Sequence, residues 1–578
     1  MPQAPSPSSE FSVFNRDFMG PDTPLKYIGA GSLGGKAQSL AFMHGILKSE
    51  PARPEISGIA VGIPPLVVIR TGVFDAFMAH NHLYDIALSN LPDDRIAHAF
   101  QKADLPFEVL GDLRALIESA HTPLAVRSSS LLEDALKEPF AGIYGTKMIP
   151  NNVFDPDARF RGLMEAIKFV YASTFYEEAR DYHLATGHEI RDEKMAVIIQ
   201  QVVGKRYHSR FYPELSGVAR SYNYYPVGRA KPEDGVVSLA LGLGKTIVDG
   251  GITWTYSPAF PEADPPFRSA EETLDLTQTT FWSVNMGEPA GYDPIKETEY
   301  LLQENLMEAE ADGTLPHLAS TYNVQDERLT MGTGSNGPRV LTFAPLLKLD
   351  AIPFNPSVIR LLKICEKALG SAVEVEFAMT FNPHRLNLLQ ARPMAAPTEG
   401  LEIQESELTG ENVLGACRTA LGHGLVDTLR DIIYVKHDVF DLSHSVAVVP
   451  ELEKLNHKML TLGKPYALIV LGRLGTNIPW LGIPANWGQV SGARVIVEAA
   501  RESINVELSQ GSHYFHNIIN LGVKYFCMPH SNVYQVDWAW LDRQKLVEET
   551  QFLRHVELVR PLIVKVDGKS RNGVILKQ

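Results

Sequence analysis

Residues 123–146 read PLAVRSSSLLEDALKEPFAGIYGT, from Pro123 to Thr146. The apolar run Leu124, Ala125 and Val126 predicts a buried strand. Arg127 is expected at the end of that strand. After it come the hydroxyls of Ser128, Ser129 and Ser130, the acidic pair Glu133 and Asp134, and a turn at Phe140-Ala141-Gly142. A guanidinium fixed at a strand end, beside hydroxyls and backbone amides, suits the oxygens of a polyphosphate. It equally suits an ordinary ion pair, the commoner use of such an arginine, and the stretch alone leaves both open.

Toward the N-terminus, residues 28–40 read IGAGSLGGKAQSL. Glycines 29, 31, 34 and 35 allow close backbone approach, and Lys36 opens a helix carrying Leu40, Met43 and Leu47 at helical spacing. A glycine-rich loop at a helix N-terminus offers free amides to an anion. A plain helix cap with a surface lysine fits the same residues, and the spacing is not that of a Walker A loop. Residues 61–77 predict a turn, a strand and a helix.

Toward the C-terminus, Ala166 to Tyr182 predicts one amphipathic helix with Val170, Phe175 and Ala179 buried. Met195 to Val203 and Leu215 to Ala219 predict strands, followed by the glycine loop Leu241 to Gly251. A surface helix is expected over Glu297 to Ala311, a strand over Val340 to Phe343 and a helix over Val358 to Leu369. Residues 373–394, VEVEFAMTFNPHRLNLLQARPM, predict a hairpin turning at Asn382-Pro383-His384. Period-2 alternation puts Glu374 and Glu376 on one face. Two such carboxylates repel unless a cation lies between them; with the Gln390 amide oxygen they form a hard site suited to Mg²⁺, or else a solvated strand face.

Taken in order, these blocks resemble the nucleotide-binding domain of the phosphoenolpyruvate synthase and pyruvate, phosphate dikinase family. The matches are G-G-K at 34–36, P-P at 64–65, V-R-S-S at 126–129, G-L-G at 242–244, and E-x-E-F with Q-x-R-P at 374–377 and 390–393. The resemblance runs from roughly Gly29 to Met394. It implies an ATP-grasp architecture and Mg-ATP as ligand. By it, Lys36, Arg127 and Arg392 contact the phosphates and act in catalysis, and Glu376 and Gln390 bind metal. Gly34, Gly35, Ser128, Gly242, Gly244 and Glu374 border the nucleotide, and Gln200 lies on the strand that lines the adenine slot. Three residues depart from the family pattern: Leu66 stands for a glycine, Arg220 for an apolar residue, and Lys245 for a glutamate that follows G-L-G. The last inverts a charge near the nucleotide.

The family's T-x-G-G-x-x-x-H-A phosphohistidine motif and its pyruvate-binding barrel have no counterpart in the roughly 180 residues after Met394. Residues 401–578 are expected to form a smaller α/β domain. Helices are expected at Glu411 to Ala420 and Val449 to Leu462, and strands at Tyr466 to Leu471 and Ala493 to Glu498. Gly472-Arg473-Leu474-Gly475 is either an anion site or a tight turn. His513 and His516 share a helix face at i and i+3. They are either packed histidines or a phosphoryl acceptor or metal pair. The basic residues from Arg554 to Lys577 read as a solvated face. The expected organisation is a loose arm at 1–20, a nucleotide-binding domain at 21–398 and the α/β domain at 401–578.

The 578 residues carry a net charge of −15, which argues against nucleic acid or an anionic membrane as partner. Three widely spaced cysteines, 365, 417 and 527, fit a reducing cytoplasm, and no secretory leader or membrane span is evident. Two functions follow. One is an ATP-dependent phosphotransferase acting on a histidine or small molecule, with a separate phosphohistidine-carrying subunit as possible partner. The other is a nucleotide-binding regulatory or assembly subunit with little turnover.

Overall fold

In a computed structural model the protein is described over residues 10–16, 24–49, 55–56, 58–133, 142–263, 273–274, 276–288, 291–349, 352–394, 401–476, 478–501, 512–530 and 534–578. Two mixed sheets face each other in the N-terminal part. The first has six strands in the order Ser12–Val13, Leu25–Ile28, Leu66–Ile69, Met195–Gln201, Leu124–Ser130, Thr146–Ile149. The second has seven, in the order Trp254–Tyr256, Val236–Ala240, Leu215–Arg220, Val373–Phe381, His384–Pro393, Ile59–Gly62, Glu55–Ile56.

The strand Met195–Gln201 explains how the first sheet is held. Its side chains alternate between two cores: Met195, Val197 and Ile199 meet Phe74, Phe77, Tyr171 and Phe175, while Ala196 and Ile198 meet the layer shared with the second sheet. The helix Gly35–Ser49 fills that layer with Ala37, Leu40, Ala41 and Met43, against Val375, Leu388 and Ala391. A strand buried on both faces reads as an unbroken apolar run, which MAVIIQQ nearly is.

After residue 412 a second seven-stranded sheet forms, in the order Ala420–Leu421, Lys524–Met528, Ala493–Ala499, Tyr466–Leu471, Asp431–Val435, Leu553–Glu557, Lys545–Glu549, its middle four strands parallel. The helix Ser445–Thr461 crosses between the first two of these in sequence. The core of this region is continuous with the outer core of the six-stranded sheet. The contact is polar as well: Asp181 meets His457 at 2.9 Å, and Arg494 donates to the Ala185 carbonyl at 3.2 Å. Among the described residues no helix is long and apolar enough to cross a membrane.

Five expectations change. Arg127 lies inside a strand, not at its end, because the three serines continue the ladder through Ser130. Their hydroxyls are satisfied sideways: Ser129 Oγ donates to the Leu33 carbonyl at 2.9 Å and Ser128 Oγ to Glu133 at 2.8 Å. The helix expected over Ala166 to Tyr182 is two, Pro156–Ser173 and Glu177–Thr186. Asp93, distant in sequence, accepts from the Glu177 N–H at 2.9 Å and starts the second. Residues 301–305 of the expected surface helix form a strand against Thr280–Asn285, and only Leu306–Ala311 is helical, capped by Asn305. Residues 413–417 are a strand rather than a helix, paired with Gly573–Leu576 at the far end of the chain. In the expected N-terminal arm, Ser12–Val13 pairs in parallel with Leu25–Ile28, and Phe11 and Phe14 are buried. Asp134, Phe140 and Ala141 lie outside the described residues.

Glu498 is buried on the strand Ala493–Ala499, accepting from the Leu474 N–H at 2.9 Å and the Tyr525 hydroxyl at 2.6 Å. Burial outweighs these bonds and pushes its carboxyl up to about 7. A carboxyl raised on folding contributes stability that is lost as pH rises through the folded value, so the wild type weakens between about pH 4.5 and 7. Glu498→Gln is expected to flatten that slope and to be the more stable protein above pH 7, by on the order of 1–3 kcal/mol. Urea unfolding at pH 5.5 and 8 reads both effects.

Candidate functional site

The two N-terminal sheets enclose a cavity of about 210 Å³. Of the twelve residues that the family resemblance assigns to nucleotide, metal or catalysis, Lys36, Arg127, Gln200, Gly244, Glu376, Gln390 and Arg392 line it, together with Glu133, Lys245 and His513. The first seven come from both sheets and from the start of the helix Gly35–Ser49. Arg127 ties the walls together: it donates to Gln200 Oε1 and the Leu389 carbonyl, both at 3.1 Å, and to Gln390 Oε1 at 3.3 Å. The strand Leu124–Ser130 belongs to one sheet and the 389–390 backbone to the other, so one guanidinium spans the cleft.

The other five sit behind the wall. Gly34 has a left-handed φ of +76°, and a Cβ there would lie 1.7 Å from the Ser129 carbonyl oxygen. A Cβ on Gly35 would lie 1.8 Å from the Glu133 carbonyl oxygen. These glycines therefore let the helix start dock onto the V-R-S-S strand, which brings Lys36 to Glu133 at 3.0 Å. Glu133 is held in turn by the Ser128 hydroxyl and by the Ser130 N–H at 2.7 Å. Gly242, at φ +82°, accepts from Ser216 Oγ at 2.6 Å.

Glu374 is fully buried between two arginines. Arg392 Nε donates to it at 2.8 Å and Arg220 Nε at 2.5 Å. Burial alone would raise the carboxyl; Arg220, Arg392 and His516 overcome this and hold it well below the usual carboxylate range. Arg220, the departure from the family pattern, thus has a local cause. Its guanidinium also stacks 4.9 Å from the Phe515 ring, on a helix of the C-terminal region.

Lys245, the other charge departure, pairs with Asp249 at 2.7 Å and lies beside Glu297. Burial would lower its ammonium, but Glu297 and Asp249 keep it above its ordinary value. Glu297 is itself raised, by burial first, against the pull of Lys245. Glu297 carries no signal in the sequence because it lies in the stretch that matches the family pattern least well and reads as the start of a surface helix. Glu133 was seen as half of an acidic pair, without its partner.

The helix His513–Asn520 reaches the same cleft. Ser512 caps it, accepting from the Phe515 N–H at 3.2 Å. His513 Nε2 lies 3.6 Å from Glu376 Oε1 and lines the cavity; His516 Nδ1 lies 3.5 Å from Glu374 Oε1 and is buried. Arg473 reaches across as well, donating to the Gly250 carbonyl at 2.9 Å, so its guanidinium is engaged in docking.

Glu376 Oε1 is a buried oxygen without a hydrogen-bond partner, and Gln200 Nε2 is a second orphaned atom in the cavity wall. Burial would raise Glu376, but the contact with His513 and the field of Arg392 bring it down to about 2, so it is ionised at neutral pH. An ionised carboxylate oxygen whose nearest cations, His513 and Arg392, stand off at 3.6 Å, opposite an amide oxygen, fits a Mg²⁺ site that takes its remaining ligands from water and phosphate. Among the described residues no cluster of three or more His, Cys, Asp or Glu forms an all-protein metal cage. A larger cavity, about 310 Å³, lies at the ends of the strands Ala493–Ala499 and Lys524–Met528 and contains none of the residues singled out above.

Residues 30–411 match the family described as pyruvate phosphate dikinase, AMP/ATP-binding domain, and the chain belongs to that family. It is 30% identical over 210 residues to a rifampicin phosphotransferase of Streptomyces sviceus, covering 34% of this chain and 22% of that protein. It is 28% identical over 332 residues to an uncharacterized phosphotransferase, YvkC, of Bacillus subtilis, covering 57% of this chain and 31% of that protein. The matched region thus spans between a fifth and a third of each relative's length.

Proposed function

We propose that the protein is an ATP-dependent phosphotransferase working in the cleft between the two N-terminal sheets. The observation that carries this is the convergence of Lys36, Arg127 and Arg392 on one cavity beside the ionised carboxylate of Glu376. Lys36 and Arg392 supply positive charge along the polyphosphate, each released from its carboxylate partner as phosphate oxygens take its place. Arg127 places a planar fork at the sheet junction, where it positions the group in transfer. Gln200, with its spare N–H, faces the base. Mg²⁺ held by Glu376 and Gln390 would neutralise charge on the transferring group.

The second reading, a nucleotide-binding subunit with little turnover, draws on a different observation. Every cation in the cleft already has a protein partner, and a cavity of about 210 Å³ is below the range of about 300–1,000 Å³ usual for a small-molecule site. Steady-state ATP consumption with and without Mg²⁺ separates the two. The phosphotransferase reading expects Mg²⁺-dependent nucleotide product. It also expects Glu376→Ala to raise the Mg²⁺ concentration for half-maximal rate by about tenfold or more, since even the outer-shell partners of metal ligands are worth that much. ATP binding without product under any metal condition favours the regulatory subunit.

A further inference from the structure

We propose that the cavity in the C-terminal α/β region is a second ligand site, which takes a small organic anion with a flat ring and meets its carboxylate or phosphate oxygens with Arg501. The proposal stands apart from the phosphotransferase reading of the N-terminal cleft. The middle strands of the C-terminal sheet run parallel, so Asp431–Val435, Ala493–Ala499 and Lys524–Met528 all end on the same side. Open α/β sheets bind their ligands in the crevice outside such carboxyl ends. Here the crevice is a cavity of about 310 Å³, inside the range of about 300–1,000 Å³ usual for a small-molecule site.

Arg501 follows the strand Ala493–Ala499 and lines the cavity, half-buried. Backbone alone fixes its guanidinium. One terminal nitrogen donates to the Phe440 carbonyl at 3.2 Å and the other to the His437 carbonyl, both just beyond the end of Asp431–Val435. Carbonyl oxygens orient a guanidinium without neutralising it. Among the described residues no carboxylate pairs with Arg501, and no Asp or Glu is among the residues that line the cavity. With two N–H groups engaged, the rest of the fork remains for a ligand, and its planar geometry suits carboxylate or phosphate oxygens. In a chain of net charge −15, such a cavity is where a small anion meets little repulsion.

The remaining wall supplies the surface for a ring. Trp538 packs on the His437 ring at 5.0 Å, and the Tyr534 hydroxyl accepts from Arg418 Nε at 3.2 Å, so both aromatic side chains are held in place. An aromatic body packs well against fixed rings of this kind. His530 and Gln535, exposed at the rim, add polar tips for its substituents. A guanidinium, two aromatic rings and a polar rim, with no acidic side chain among them, define the class of ligand.

The test is calorimetric titration of the full chain with two probes that share one ring, benzoate and phenyl phosphate. At least one is expected to bind one-to-one with a Kd of about 1 mM or tighter, and the tighter of the two names the headgroup. Excess Mg-ATP should leave that binding unchanged within about twofold, because the nucleotide cleft is a different cavity. Arg501→Met should weaken it about tenfold or more, the usual effect of losing a hydrogen bond to a charged group. If Arg501→Met does not fold, Gln535→Glu decides in its place: it keeps the size of the side chain, leaves Arg501 where it is and brings a carboxylate to the rim, with a similar loss expected. The proposal is overturned if neither probe binds saturably at about 10 mM, if Mg-ATP displaces the bound probe, or if the deciding variant binds it like wild type.

Discussion

Arg127→Ala is expected to lower the rate of ATP consumption about a thousandfold, the usual size of effect when one preorganised donor to a developing charge is removed. Two features of the site set that expectation. Arg127 is the residue whose guanidinium touches both sheets, through Gln200, the Leu389 carbonyl and Gln390. Its removal therefore takes away a positive fork and loosens the amide proposed to hold metal. Arg127→Lys keeps the charge but not the planar three-way contact, and should recover only a small part of the rate. ATP affinity should fall far less than turnover, because Lys36 and Arg392 remain. A steady-state assay of both variants checks this; wild-type turnover in Arg127→Ala would remove the residue from the mechanism.

Glu374→Ala should be the most destabilising single change in the cleft, at about 3–5 kcal/mol, the cost of leaving buried charge without its counter-ion. Here the Arg220 guanidinium loses its carboxylate and Arg392 keeps only the longer contact to Glu376 at 3.6 Å, both arginines being nearly fully buried. The loss also frees the helix His513–Asn520, since His516 and Phe515 dock on the same cluster. Glu374→Gln keeps an acceptor but not the charge and should fall between wild type and alanine. The same group predicts acid sensitivity. A carboxyl held low in the folded state stabilises it above the unfolded value near 4.5, and that contribution is lost as pH falls toward the folded value. Urea unfolding at neutral pH measures the mutational effect; a change under about 1 kcal/mol would mean that the buried cluster is not the anchor described here.

What was legible in the sequence follows a physical rule. Lys36, Arg127, Gln390 and Arg392, which the fold brings to one cavity, stand out in the sequence because each sits in a short motif whose local geometry is set by its immediate neighbours: a glycine pair before a helix, or a strand flanked by polar residues. Gly34 and Gly35 were expected near phosphate and instead serve the packing that aims Lys36. Their role depends on the backbone of residues 129 and 133, which no local pattern encodes. The strand at 413–417 was misread because its partner is Gly573–Leu576, and the break before Glu177 because its cap is Asp93. Arg220 read as an anomaly until Phe515 and Glu374 supplied its surroundings. Lys245 likewise reads as a charge inversion in the chain and as one member of a Lys245–Asp249–Glu297 group in three dimensions. The two charged departures, Arg220 and Lys245, are thus accounted for by their ion-pair partners, and Leu66 by no contact of this kind. His513 and His516 were picked out by their i, i+3 spacing; that they meet Glu376 and Glu374 is a tertiary fact.

Calorimetric titration of the intact protein with ATP, in the presence and absence of Mg²⁺, bears most directly on the claim that this cleft is a Mg-nucleotide site. Saturable one-to-one binding is predicted, weakened about tenfold or more when Mg²⁺ is chelated, and lost to a similar degree in Lys36→Ala with Mg²⁺ present. The absence of binding at millimolar ATP, or binding indifferent to both Mg²⁺ and Lys36, would contradict it.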